Sequence, residues 1–257
     1  MGSSLSGINV LVTRPDPQHL TFCSAIKDLK GNAIHFPLIK VEAIDNDEKT
    51  KIVNSKIQNL DKFNILIFIS TNAVQFCAER INNYWPQFPT GIDVIAVGPS
   101  TARKICSELS CPVIHSDLGA SSEDLLELNE LKEIEDKKIA IFRGDGGREL
   151  LAESLTARKA QVDYIEVYKR TAVNYSKDEL RDLINTNSIN VYSVTSGESL
   201  NRLYELISGS TDLLRIPLVV PSARVAELAE QKGFIFVKNA DGADVEASIN
   251  ALQELAN

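Results

Sequence analysis

No run of apolar residues in this 257-residue chain approaches the roughly 18 to 20 needed to cross a bilayer. The first residues, MGSSLSG, have no apolar core, so they read as a disordered start or a cloning remnant rather than a signal peptide. A cytoplasmic protein with no membrane partner is expected. Basic residues are outnumbered, 27 Lys and Arg against 35 Asp and Glu, and a formal charge of −8 argues against nucleic acid, which needs a basic surface. The four cysteines, Cys23, Cys77, Cys106 and Cys111, show no CxxC spacing and are expected as buried, reduced thiols. His19, His35 and His115 are scattered, and neither HExxH nor a GxSxG elbow occurs, so no zinc site and no hydrolase triad is expected. The glycines at 144, 146 and 147 fit neither GxGxxG nor GxxxxGK[ST], which leaves nucleotide binding poorly supported.

What is present is organised around Lys138 to Thr171, KIAIFRGDGGRELLAESLTARKAQVDYIEVYKRT. The apolar run Ile139 to Phe142 breaks at Arg143 and Gly144. A helix-period pattern through Leu150, Leu151 and Leu155 then leads to Val162, Tyr164 and Ile165. This is a βαβ unit whose glycine loop lies at the carboxyl end of its first strand, the edge where open parallel sheets hold ligands. The N-terminus carries a second copy: Val10 to Arg14, a helix through Phe22, Ile26 and Leu29, then Ala33 to Phe36. Arg14 and Arg143 take the same place in the two copies. NILIFISTNAVQFCAERI from Asn64 likewise resembles INVYSVTSGESLNRLYEL from Ile189, with Ser70 matching Thr195, and AVGPSTARKICSEL matches VVPSARVAELAEQKG more loosely. The chain therefore reads as two related halves.

Strand-like runs near 8–13, 33–37, 64–70, 92–97, 112–115, 137–142, 161–166, 189–195, 216–220 and 234–237 alternate with helix-period segments. That alternation predicts an α/β protein with mostly parallel sheets. Asp16 is expected to cap a helix with Pro17 at its first position, and Ser176 with Glu179 to form a capping box. Extended segments from Pro37 to Ile44 and from Glu166 to Val173 serve as linkers. Crossing at both gives two five-stranded lobes, residues 1–37 with 173–257 and residues 44–166, with 38–43 and 167–172 between them. Paired α/β lobes also suit a non-catalytic ligand-binding protein of periplasmic type, which the missing export signal disfavours, and a nucleotide-dependent transferase, which the missing phosphate loop disfavours.

VLVTRP from Val10, FISTNAV from Phe68, AVGPSTA from Ala96, FRGDGGRELL to VYKRT from Phe142 to Thr171, and TSGES from Thr195 resemble, in order and across the chain, the uroporphyrinogen-III synthase family. The departures are small: Lys159-Ala160 where Gly-Ala is common, and Pro221-Ser222 without the acidic residue often found there. The resemblance implies two flavodoxin-like lobes, each a five-stranded parallel sheet with helices on both faces, joined by a two-stranded linker ladder, with the substrate in the cleft between them. It implies as substrate hydroxymethylbilane, a linear tetrapyrrole with eight carboxylates, cyclised without cofactor or metal by a monomer, with a transient contact to the preceding pathway enzyme. Tyr168 matches the tyrosine of the family's VYxR segment and is the candidate proton donor, with substrate positioning or plain packing as its other readings. Eight carboxylates in an acidic protein need donors already in place, and helix N-termini provide them. Thr13, Arg14, Ser70, Thr71, Asn72, Gly98, Ser100, Arg143, Gly144, Thr195, Ser196, Gly197 and Ser222 all stand where a strand becomes a helix and are the candidate substrate-binding residues. Simple capping by the hydroxyls, and surface ion pairs for the two arginines, are the alternatives.

Overall fold

The computed structural model describes residues 4–44, 46–116, 119, 121–146 and 149–256. The chain divides into two compact units, Met1–Lys40 with Thr171–Asn257, and Val41–Arg170. In chain order the first unit begins with β1 (Asn9–Val12), α1 (His19–Asp28) and β2 (Asn32–His35). β3 (Ile39–Ala43) leads into α2 (Asp47–Gln58), β4 (Ile65–Phe68), α3 (Thr71–Tyr84), β5 (Asp93–Ala96), α4 (Pro99–Leu109), β6 (Ile114–His115) and α5 (Ser122–Leu126). β7 (Lys138–Gly144), α6 (Leu150–Ala157) and β8 (Gln161–Ala172) follow. The chain returns to the first unit with α7 (Lys177–Thr186), β9 (Val191–Ser193), α8 (Gly197–Ile207), β10 (Leu218–Val220), α9 (Ala223–Gln231), β11 (Val237–Asn239) and α10 (Val245–Ala256).

The first sheet runs β11-β10-β9-β1-β2, with all its pairings parallel. Counted within that unit, this is the 2-1-3-4-5 order of flavodoxin-like folds. The second sheet runs β3-β8-β7-β4-β5-β6. Without the linker strand β3, its five parallel core strands stand in the same spatial order, with β7 and β8 in the places of β1 and β2 and β4 to β6 in those of β9 to β11. One fold is thus present twice, the second copy circularly permuted so that its first βαβ unit comes last. The internal sequence matches follow from this. The helix caps refine their register: Ser196, not Thr195, takes the place of Ser70, and Ser222 that of Gly98.

Both faces of each sheet are covered, which is why the central strands are apolar without interruption. Successive side chains of a strand point to opposite faces. Val10 and Val12 accordingly pack with Leu5, Phe22, Ile26 and Leu252, while Leu11 packs with Tyr192, Leu200 and Val220. In the second unit Ile65, Ile67, Ile139 and Ile141 share one core, and Leu66, Phe68, Ala140 and Phe142 the other, where the Phe68 and Phe142 rings stack at 4.3 Å. Most helices start as the residues dictate. Ser70 accepts the Ala73 amide, Ser176 and Glu179 close a capping box, and so do Ser121 and Asp124, each such cap contributing about 1 kcal/mol.

Several expectations need correction. The expected Asp16 cap does not form: α1 starts at His19 behind Gln18 with no side-chain cap, the Leu20 amide turns back to the Pro17 carbonyl, and the Asp16–Pro17 peptide is cis. The chain start is not disordered from Ser4 onward, because Leu5 is fully buried and its amide donates to the Leu29 carbonyl; residues 1–3 lie outside the described set. Cys77 and Cys111 are buried and Cys23 half-buried, but Cys106 is exposed, one residue past the inward-facing Ile105 of α4. The last strand begins at Val237, leaving Ile235 and Phe236 exposed before it.

Candidate active site

The carboxyl ends of β4, β5 and β7 meet at the point where the strand order of the second unit reverses, and a cavity of about 360 Å³ opens there. Its lining includes Ile69, Val97, Ser121, Arg143, Gly144, Tyr168 and Arg170. Topological switch points of open parallel sheets are where this fold class binds ligands.

Tyr168 reaches the cavity because β8 is irregular. Arg143 of β7 lies opposite Glu166, but the next residue, Gly144, lies opposite Tyr168, so β8 carries one extra residue. Val167 and Tyr168 are in consequence both buried, which breaks the alternation of the strand. Bulges of this kind re-aim a side chain. The Tyr168 side chain is 1% exposed, stacked at 5.8 Å on Phe76, with its hydroxyl 3.2 Å from Ser70 Oγ and accepting from Arg170 Nη2 at 3.3 Å. Gly144 makes room for the ring: a Cβ at that position would stand 2.5 Å from Cε2 of Tyr168 and 2.7 Å from its Cζ.

Arg143 is buried and occupied. Its Nε donates to the carbonyls of Gly144 (3.3 Å) and Gly146 (3.1 Å), Nη2 also reaches the Gly146 carbonyl, and Nη1 meets Glu149 at 3.2 Å. The guanidinium also lies over the Tyr164 ring, 4.4 Å from its centroid. Lys49 holds the outer side of the loop through Asp145 at 3.0 Å. Arg143 therefore shapes the glycine loop from within, and the Asp145 amide ties the loop to the Tyr168 carbonyl at 2.7 Å. Gly147 lies outside the described residues.

The Tyr164 hydroxyl donates to Glu149 and is the largest cause of a lowered Glu149 pKa, ahead of Arg143. A carboxyl whose folded-state pKa is depressed contributes stability that is fully present above its unfolded value and is lost as pH falls through the folded one. Thermal melts of the wild type and Tyr164→Phe should differ by a constant amount near neutrality, and the difference should close as pH falls through the carboxylate range. A gap that persists in acid would assign the bond no part. The Tyr164 phenol is itself raised to about 12, by burial first and then by Glu149.

The other candidates divide between the units. In the second unit Ser70 caps α3, with Thr71 and Asn72 half-buried in its first turn, and Gly98 precedes Pro99 at the start of α4, where Ser100 is exposed. In the first unit Thr195 and Ser196 precede α8, which opens on Gly197, and Ser196 is capped reciprocally by Ser199. Ser222 stands before α9 with no side-chain cap bond. The Thr13 hydroxyl turns inward to the Ser193 carbonyl at 2.8 Å. Arg14 is buried against the Phe22 ring and donates to Ser248 Oγ (2.9 Å) and the Asp244 carbonyl (3.2 Å) of the α10 start. Sequence reasoning did not single out Ser121, Tyr164 or Arg170. For Arg170 a signal existed, because i and i+2 share a face of a strand and Tyr168 was already marked.

Two of the three histidines come together in space. His19 and His35 stack at 3.5 Å with Asp16 beside them, donor atoms within 4.8 Å of one another. The rings are nearly parallel, at 9°, so their in-plane lone pairs run side by side instead of converging on one ion.

A flavodoxin-like sheet present twice, each copy with helices starting at the carboxyl ends of its strands, defines a duplicated α/β protein. Comparison with known proteins makes this specific. The model of the family described as uroporphyrinogen-III synthase HemD matches residues 21–250. The chain is 34% identical over 252 residues to uroporphyrinogen-III synthase of Escherichia coli K12, covering 96% of this chain and 100% of that one. It is 34% identical over 249 residues to that of Salmonella typhimurium LT2, with the same coverage. Solved uroporphyrinogen III synthases share the fold: a mutant from the extreme thermophile Thermus thermophilus at TM-score 0.61 and 13% identity (96% and 100% covered), and the Helicobacter pylori 26695 protein at 0.58 and 15% (97% and 98%). The chain belongs to the uroporphyrinogen-III synthase family.

Proposed function

We propose that the chain cyclises hydroxymethylbilane to uroporphyrinogen III, with Tyr168 as proton donor to the departing hydroxyl. The observation that carries the assignment is the phenol itself, aimed by a strand bulge into the switch-point cavity and held between Ser70 and Arg170. The Tyr168 proton joins the terminal hydroxyl, which leaves as water and gives an azafulvene cation. The far end of the bilane attacks it to form a spiro intermediate, and re-closure inverts ring D. The proton lost from the carbon that closes the macrocycle restores the phenol, so the sum is bilane to macrocycle plus water. Holding the two ends in the spiro-forming geometry is worth several kcal/mol, and the proton transfer about 10² to 10⁴ in rate.

A cavity of this size takes one substituted pyrrole rather than four, so most carboxylates must be met elsewhere. The first turns of α3, α4, α8 and α9, with Thr13, Ser70, Thr71, Asn72, Gly98, Ser100, Gly144, Thr195, Ser196, Gly197 and Ser222, are the proposed binding positions. Arg14 and Arg143 shape them from behind. Helix N-termini favour anions whatever the net charge of the protein. Four free cysteines suit a reducing cytoplasm, and among the described residues no helix is long and apolar enough to cross a membrane. A monomer without metal or cofactor completes the reading, both copies of the fold being present in one chain.

The test is to incubate the protein with fresh hydroxymethylbilane, oxidise, and separate the isomers. The type III isomer is expected in excess of type I. Type I alone, as in a blank without protein, would contradict the assignment.

A further inference from the structure

We propose that Arg170 is a positioning residue that directs the Tyr168 hydroxyl proton into the cavity, an inference that rests on Tyr168 being the donor. An arginine has donors and no acceptor. Its Nη2, 3.3 Å from the phenol oxygen, therefore occupies a lone pair and leaves the O–H bond free to point elsewhere. Ser70 Oγ, 3.2 Å away, accepts the Ala73 amide at 3.0 Å and keeps one hydrogen to donate to the second lone pair of the phenol and one lone pair that could accept the phenol hydrogen instead. When Ser70 donates, both lone pairs are engaged and the phenol hydrogen is left to the cavity; the Arg170 donor favours this arrangement by holding one of them. Arg170 and Tyr168 are i and i+2 on one face of β8 just past the bulge, so the strand fixes their spacing. Both line the cavity, and the guanidinium carbon lies 5.8 Å from the phenol ring centroid, near the outer limit for a cation over an aromatic face. The useful contact is thus the one to the oxygen. Once the proton has left, the same guanidinium stands beside the phenolate until the closing step returns a proton. Ser70 has a second role in capping α3, whereas Arg170 is exposed on the strand and is the position to vary, with thermal melts to separate any effect on the fold.

The experiment measures kcat and KM on hydroxymethylbilane for the wild type, Arg170→Gln, Arg170→Lys, Tyr168→Phe and the double variant Arg170→Gln/Tyr168→Phe, with thermal melts as the folding control. Arg170→Gln is expected to lower kcat about tenfold with KM changed less than about threefold, and Arg170→Lys to recover part of the loss because it keeps a cationic donor. In the Tyr168→Phe background, Arg170→Gln should change kcat by less than about twofold, since its effect is exerted through the missing oxygen. An equal loss in both backgrounds, or a loss confined to KM, would overturn the proposal while leaving the family reaction in place. A wild type that yields only type I isomer would instead overturn the functional reading beneath it.

Discussion

Tyr168→Phe is expected to lower kcat on hydroxymethylbilane at least tenfold while the protein keeps its fold. The substitution removes one oxygen from a ring that is 1% exposed and packed on Phe76, so the volume of the core is conserved. The lost contacts to Ser70 and Arg170 cost about 1 kcal/mol of stability by the usual worth of such hydrogen bonds. The kinetic loss is expected to be larger, because in the proposed mechanism the oxygen protonates the leaving group, and a positioned acid contributes about 10² to 10⁴ in rate. Unaided closure of the bilane then competes, so the type I fraction should rise as the catalysed route slows. Full activity in this variant would remove Tyr168 from the chemistry.

Gly144→Ala is expected to harm both stability and turnover, through a single contact. The added methyl would stand 2.5 Å from Cε2 of Tyr168, a distance that real Cβ atoms do not adopt, so the ring or the β7 backbone must move. The ring has little freedom, with Phe76 on one side and Ser70 at its hydroxyl. Overpacking of this kind costs about 1 to 3 kcal/mol, read as a lower denaturation midpoint. A displaced phenol should cost kcat about as much as removing its oxygen. The cause can be separated: in a Tyr168→Ala background the same substitution should cost less than about 0.5 kcal/mol, because the clash partner is gone. A full cost there would place the fault in the loop backbone.

The strand ends and the duplication were legible because each depends on local pattern, whereas Tyr168 stood out only through the family resemblance. Apolar runs such as Ile65 to Phe68 can only be buried on both faces, and a repeated run ending in a cap residue marks a repeated unit. The permuted strand order was not legible, since pairing is a property of whole sheets. The arginines show a second limit. Arg14 and Arg143 occupy the strand ends as their positions predict. Whether a guanidinium reaches outward to a ligand or back to Ser248, or to the Gly146 carbonyl, depends on which acceptors the fold brings within a few ångströms. His19 and His35 lie on different elements and meet only through the pairing of the first unit. The bulge at Val167 was hidden as well, because IEVYKR reads as an alternating strand until its partner β7 is known.

The central claim is that the Tyr168 hydroxyl protonates the leaving group. The most direct test compares the wild type with Tyr168→Phe on hydroxymethylbilane and on the aminomethyl analogue, whose terminal ammonium leaves as ammonia without an added proton. Proton donation predicts that the at least tenfold deficit on the hydroxyl substrate shrinks to within about twofold on the ammonium one. An equal deficit on both substrates would show that Tyr168 only holds the bilane in place, and would contradict the account.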